Sequence, residues 1–212
     1  MKSKADVVVI GGGVVGCSIA YNLARLGAGK VVLLEKGYLA SGATGRCGAG
    51  VRMQWGTETN CLLSRESVRM FSHLPEYLGV DVDIEFEQGG YLLLAYTKKM
   101  EDQFRKNLQL QKQLGIEASW VTPEEAKEIV PMLNTEGMLG ATFCAEDGHC
   151  NPFRVTEAYA AAARKQGVEI RTFCEVTDIV TEGSKIVAVR TAQGDILTDT
   201  VVNAAGGHAK WV

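Results

Sequence analysis

Three glycines and one carboxylate carry the clearest chemical signal in this chain. Gly11, Gly13 and Gly16 make G-x-G-x-x-G within VVVIGGGVVG, and Glu35 follows about 20 residues later. Between a strand and a helix, the first glycine makes the tight turn and the second lets backbone approach a pyrophosphate. The third lets helix pack closely on strand. A helix beginning beyond Gly13 directs free N–H groups and a partial positive charge at phosphate oxygens. An acid closing the next strand can accept hydrogen bonds from a ribose diol. The chemistry implied is dinucleotide binding. Glu35 would repel a 2′-phosphate, which favours FAD or NAD over NADP, although neighbouring Lys36 weakens that preference. An ordinary glycine-rich strand–helix turn is the plainer alternative.

A second stretch, residues 38–53, reads YLASGATGRCGAGVRM. Its small side chains let backbone lie close against something flat or bulky. One account is a surface loop, since most loops are only that. The other is a loop whose N–H groups and hydroxyls line a cofactor. On that account Arg46 and Arg52 are the nearest cations, able to pair with a phosphate or a carboxylate substrate. Arg52 is the weak candidate for a substrate-carboxylate anchor, and Cys47 reads as a small packing residue. No general base is nominated: His73, His149 and Tyr91 show no base–orienter partner in the sequence.

Other chemistries find little support. The net charge of −3 and scattered Lys and Arg exclude a basic nucleic-acid surface. The six cysteines are widely spread without C-x-x-C, and the three histidines lie far apart. That is neither a disulfide framework nor a metal site, and it points to a reducing, cytoplasmic location. No apolar run reaches membrane-spanning length. MKSKAD leads directly into the first strand, so no signal peptide is expected.

The elements that position these residues follow from the pattern. Residues 6–10 form a buried strand, and Val15, Ile19, Leu23 and Leu26 recur at helical spacing. Residues 31–34 form the strand that ends at Glu35. A helix is expected over 57–74, with Leu62, Leu63, Val68, Met70 and Phe71 available for its core face. Residues 84–96 read as two strands around Gln88-Gly89-Gly90, a hairpin-like or bulged element, and 98–114 as a polar helix. Thr122-Pro123-Glu124-Glu125 starts another helix, and 138–144 is a strand. Asn151-Pro152 opens a further helix to Gln166. A strand at 168–173, a meander at 175–180, 185–191 and 195–198, and a buried strand near 200–207 complete the pattern. The block around 80–148 does not continue the βα alternation, so it is expected as an inserted second domain. The boundaries are 1–80 with 149–212 for the dinucleotide-binding domain and 81–148 for the insertion.

Taken together, these pieces resemble the FAD-dependent amino-acid oxidoreductase family of D-amino acid oxidase, glycine oxidase and sarcosine oxidase. Within it the chain is most similar to the β-subunits of sarcosine oxidases and dye-linked L-proline dehydrogenases. The match is carried by the segments at 7–16, 34–36, 41–48 and 51–52. It continues in Thr122-Pro123-Glu124-Glu125-Ala126, Asp147-Gly148, Asn151-Pro152 and Val202-Asn203-Ala204-Ala205-Gly206. The implied fold is α/β: a Rossmann-like, GR2-type FAD-binding domain with an inserted α+β substrate domain.

By position, the resemblance implies that Gly11, Gly13, Val14, Val15 and Gly16 hold the FAD pyrophosphate. Glu35 would bind the adenosine ribose, with Lys36 near the adenine. Ser41, Thr44, Arg46, Cys47, Gly48, Ala49, Gly50 and Val51 would line the pyrophosphate, ribityl chain and isoalloxazine. Val176 would meet the adenine by its backbone, and Ala204, Ala205 and Gly206 would close over the phosphates. The implied activity oxidises the C–N bond of a small amino acid or secondary amine, sarcosine-, proline- or glycine-like, by hydride transfer to flavin. Family members continue for a comparable further stretch, so a C-terminal truncation with an open sheet edge is expected. Such a chain is a fragment or a subunit completed by a partner, and its alternative function is a catalytically incomplete flavin-binding module. An NAD-dependent dehydrogenase is the third reading, opposed by the SGATGRCGAG loop.

Overall fold

A computed structural model describes residues 3–212; Met1 and Lys2, which begin the MKSKAD segment, lie outside the described residues. In chain order the elements are β1 (Ser3–Lys4), β2 (Val7–Ile10), α1 (Val14–Arg25), β3 (Val31–Leu34), β4 (Gly50–Val51), α2 (Glu58–Phe71) and α3 (Leu74–Leu78). There follow β5 (Tyr91–Ala95), α4 (Lys98–Gln113), β6 (Ala118–Val121), α5 (Pro123–Ile129), β7 (Gly140–Cys144) and β8 (Gly148–His149). The chain closes with α6 (Pro152–Lys165), β9 (Glu169–Arg171), β10 (Val176–Glu182), β11 (Lys185–Thr191), β12 (Gly194–Leu197) and β13 (Val201–Asn203). Short 3-10 turns span Thr44–Arg46 and Gly206–Trp211.

The described residues form two compact units. The first comprises the chain up to Gly48, Pro75–Ile84 and Asn151–Val212; the second comprises Ala49–Leu74 and Glu85–Cys150. The second unit therefore begins within the glycine-rich stretch, not near residue 81 as the composition change suggests.

In the first unit, β13-β2-β3-β9 form an all-parallel sheet. Every residue of β2 and β3 is buried, as expected of strands covered on both faces. Alternate residues Val8, Ile10, Val32 and Leu34 join Ala5, Val189 and Ile196 in one core cluster, which ties this sheet to a second, β1-β12-β11-β10. The predicted meander is its β10-β11-β12 portion, to which β1 adds in parallel.

Helix α1 packs with α6, and Tyr21 and Tyr159 meet at 6.2 Å between ring centroids. Its buried residues are Gly16, Cys17, Ala20 and Tyr21, whereas Val15 is 60% exposed and Leu26 76%. Apart from Tyr21, which packs on Tyr159, the buried face is made of small residues, because close approach of helix to sheet leaves little room for a longer side chain.

In the second unit, β5-β7-β6 form an antiparallel sheet and β4 pairs with β8. The strand pair expected around Gln88-Gly89-Gly90 is not a hairpin. Of the two, β5 forms as a strand and its partner is β7, about 50 residues away in sequence, while the first is reduced to an isolated antiparallel bridge of Glu87 with His149. Gly90 instead turns the chain, with φ of 80° and its N–H donating to Asp147 O at 2.9 Å. On α2, Cys61 and Val68 are buried, while Leu63 and Met70 face solvent. The start of α5 has both halves of its capping box: Glu125 N–H donates to Thr122 Oγ1 at 3.2 Å, and Thr122 N–H to Glu125 Oε2 at 2.7 Å. No helix among the described residues is long and apolar enough to cross a membrane.

Candidate functional site

The β2–α1 turn is wound so tightly that Gly11 and Gly16 have no substitutes. Gly11 has φ of 111°, and a Cβ there would lie 2.5 Å from the carbonyl oxygen of Ala204. A Cβ at Gly16 would lie 1.9 Å from the oxygen of Gly11. Helix α1 is thus seated directly on the end of β2, with the Ala204 N–H donating to Ile10 O at 2.8 Å alongside. The residue before that helix, Gly13, offers no side-chain cap, and the first turn contains no acidic residue. Of the N–H groups that a helix start leaves unpaired, that of Val14 donates to Thr44 Oγ1 at 3.2 Å. The geometry is that of an anion site at a helix N-terminus.

Glu35 ends β3 with its carboxylate turned inward. It is 9% exposed, and Oε2 accepts from Gly12 N–H at 2.7 Å. Oε1 accepts from Gly37 N–H at 2.7 Å and from Ser41 Oγ at 3.3 Å. The carboxylate therefore ties the glycine turn to the start of the small-residue loop. Gly12 was not singled out from sequence; the signal for it is the unpaired N–H of a turn that faces an acid one strand over.

The small-residue loop folds back on that turn. Ala40 N–H donates to Gly12 O at 2.9 Å, and Gly45 N–H to Ala40 O at 2.9 Å. Arg46, Cys47 and Gly48 lie toward the surface, and the Cys47 thiol donates to Thr44 O at 3.0 Å. By contrast, burial pushes the Cys17 thiol up to about 12, so it stays protonated beneath the turn. Lys36 is exposed just beyond Glu35. Val176 begins β10, pairs with Thr191 and packs on the core cluster containing Ile10 and Leu34. Ala205 N–H donates to Asn203 Oδ1 at 3.2 Å, and Gly206 opens the last 3-10 turn with φ of 56°. The first unit thus gathers Gly11, Gly13, Val14, Gly16, Glu35, Ser41, Thr44 and Ala204 around the turn. Ala49, Gly50, Val51 and Arg52 belong to the second unit.

In that second unit the Arg52 guanidinium stacks on Trp55, 4.7 Å from the ring centroid, and on Tyr91 at 5.7 Å. Tyr91, weighed as a base from sequence, is a wall of this stack. The histidines carry no base–orienter geometry: His149 lies at the surface 3.8 Å from Glu87, and His73 is exposed. No cluster of His, Cys, Asp and Glu among the described residues could hold a metal ion. Sequence reasoning did not single out Gln54 or the side chain of Asp147, both buried below Arg52's turn. The available hint was one glutamine set between Met53 and Trp55.

A parallel sheet with a glycine-wound helix start and a buried acid closing the adjacent strand defines a Rossmann-like dinucleotide-binding protein. The chain belongs to the FAD dependent oxidoreductase (DAO) family, which its sequence matches over residues 6–212. It is 34% identical to the sarcosine oxidase subunit beta of an Arthrobacter species, over 98% of this chain and 52% of that protein. Among solved structures it superposes on L-proline dehydrogenase from P. horikoshii with a TM-score of 0.90 and 37% identity, covering 100% of this chain and 55% of that one. Glycine oxidase from Bacillus cereus gives 0.82 and 31%, covering 97% and 56%. The chain spans about half the length of these relatives.

The family cofactor is FAD, and the first unit's residues fit its ADP portion. Gly13 brings no side chain to the helix start, the first helical turn holds no acidic residue, and a Cβ at Gly42, Gly48 or Gly206 would meet nothing within 4 Å. The small residues therefore border open space.

Proposed function

We propose that this chain is the flavin-binding part of an oxidoreductase acting on the C–N bond of a small amino acid or secondary amine, sarcosine-, proline- or glycine-like. The carrying observation is the buried Glu35 carboxylate tied to the Gly11–Gly16 turn, beside a helix whose own first turn holds no acidic residue. The relatives' names supply the substrate class. FAD, when bound, supplies the two-electron acceptor for the substrate's α-hydrogen.

The chain's own residues do the holding. The N–H groups at the start of α1 and the Thr44 hydroxyl receive the pyrophosphate. Glu35 receives the ribose through the acceptor capacity that its three donors leave. Val15, Lys36, Ser41, Arg46, Cys47, Gly48, Val176, Ala204, Ala205 and Gly206, all of the first unit, border the remainder of the cofactor. Arg52 takes the substrate carboxylate on the in-plane N–H donors that stacking leaves uncovered. No side chain is required as a general base, since the hydrogen leaves as hydride. Six free cysteines fit a reducing cytoplasmic compartment.

The test is the visible spectrum of the purified full-length protein. Two flavin bands that bleach anaerobically on adding sarcosine, proline or glycine are expected. A colourless protein that binds NAD would overturn the proposal. A second reading is favoured by the chain's half-length coverage of its relatives: these residues bind flavin, but turnover requires further polypeptide, in the same chain or a partner.

A further inference from the structure

The turn that carries Arg52 is hung from one buried carboxylate. Asp147 is fully buried; its Oδ1 accepts from Met53 N–H at 2.7 Å and its Oδ2 from Gln54 Nε2 at 2.9 Å. The same Gln54 amide donates to Tyr91 O at 2.8 Å, so one side chain joins the turn both to Asp147 and to β5. Trp55 Nε1 donates back to Arg52 O at 3.1 Å and closes the turn on itself. From below, Gln111 Nε2 donates to Trp55 O at 2.9 Å, and the Cys61 thiol donates to the same oxygen at 3.3 Å. Residues 52–55 are therefore fixed one after another, and the two rings flanking the guanidinium, Trp55 and Tyr91, belong to the fixed set.

A buried carboxylate is a costly way to hold a turn. Burial raises the Asp147 pKa, while Gln54, Met53 and Cys144 as donors, and then the Arg52 charge, act in the opposite direction. An asparagine would cost less to bury, but it has one acceptor oxygen where this turn uses two. A carboxylate also attracts the cation above it. Both properties serve the placement of Arg52.

We infer that Asp147 is a positioning residue for substrate binding: through Met53 N–H and the Gln54 amide it sets the turn that holds the Arg52 guanidinium between Trp55 and Tyr91, its edge open to a carboxylate. The inference rests on Arg52 as the carboxylate anchor. It adds that the anchor's strength depends on a residue that touches no substrate.

The experiment uses the FAD-loaded full-length protein with Asp147→Asn, Arg52→Ala and the double variant. Binding of methoxyacetate, a carboxylate with no C–N bond to oxidise, is measured by calorimetry beside KM and kcat for a carboxylate substrate. Asp147→Asn is expected to weaken methoxyacetate about tenfold and raise KM by a similar factor, with a much smaller change in kcat, matching the roughly 1.4 kcal/mol of one decade. In the Arg52→Ala background the same substitution is expected to change methoxyacetate affinity less than about twofold, because the two residues act as one unit. If Arg52→Ala leaves affinity unchanged, the anchor itself fails and this inference with it. If Arg52→Ala weakens binding but Asp147→Asn does not, or if the two losses add, the positioning role fails and the anchor stands. Should Asp147→Asn not yield flavin-loaded protein, Gln54→Met, which keeps the carboxylate and the volume, carries the same cycle with the same outcomes.

Discussion

Glu35 uses most of its acceptor capacity on the protein itself. A carboxylate offers about four lone-pair sites, and Gly12, Gly37 and Ser41 take three of them. The sequence pattern assigns it a ribose diol alone. In the folded chain it also holds the glycine turn against the loop that follows β3. Both roles should fail together in Glu35→Gln, whose NH2 group would face one of two backbone N–H donors and leave it unpaired. Loss of one hydrogen bond to a charged acceptor costs about 1.5–3 kcal/mol. FAD affinity, followed by quenching of flavin fluorescence, should fall roughly 10- to 150-fold, and the melting temperature of the flavin-free protein should drop as well. Unchanged FAD affinity would remove Glu35 from the site.

At the scale of elements, what was legible in the sequence is what is decided locally. The starts of α5 and α6 were readable because their caps act within three residues: Thr122 and Glu125 satisfy each other's N–H groups, and Asn151 accepts from Phe153 and Arg154 N–H while Pro152 brings no N–H to satisfy. The β2–α1–β3 unit was readable because its glycines, buried strands and closing acid lie within one short span. What failed depended on distant partners. Gln88-Gly89-Gly90 carries a hairpin signal, yet β5 pairs with β7 across residues that no turn rule connects. The packing face of α1 was not legible in the spacing of Val15, Ile19, Leu23 and Leu26, because periodicity weighs bulk, while close packing selects Gly16, Cys17 and Ala20. Asp147 was hidden because its donors lie more than 90 residues earlier in the chain. The caps give a sharp contrast within the second unit. Thr122 accepts from Glu125 N–H, whereas Thr57 caps α2 without a side-chain hydrogen bond. Thr122→Ala should therefore lower stability by about 1 kcal/mol and Thr57→Ala by less than about half of that. Urea unfolding followed by the fluorescence of Trp55 and Trp120 measures both; equal losses would mean that the box is not formed in solution.

At the scale of the whole molecule, binding a flavin and turning over a substrate make different demands. In the proposed reading, binding draws on the glycine turn, the acid and the small-residue loop, and the first unit carries the turn, the acid and the loop as far as Gly48. Turnover also needs the substrate held against the flavin to within a fraction of an ångström, and displacement by about 1 Å can cost around a hundredfold in rate. The three-stranded sheet of the second unit has β5 and β6 as its edges, each paired on one side only by β7 among the described residues. The relatives that share this fold are about twice as long. If the second unit holds the substrate, as proposed, pairing of such an edge by further polypeptide would add the rigidity that orientation demands. Comparing the 212-residue chain with any longer polypeptide that contains it separates the two demands. Both should carry close to one FAD per chain by absorbance, while anaerobic bleaching by the best amine should be at least about a hundredfold slower in the shorter one. Equal bleaching rates would show that these 212 residues suffice for catalysis. Loss of flavin from the shorter chain would instead place part of the cofactor's support outside it.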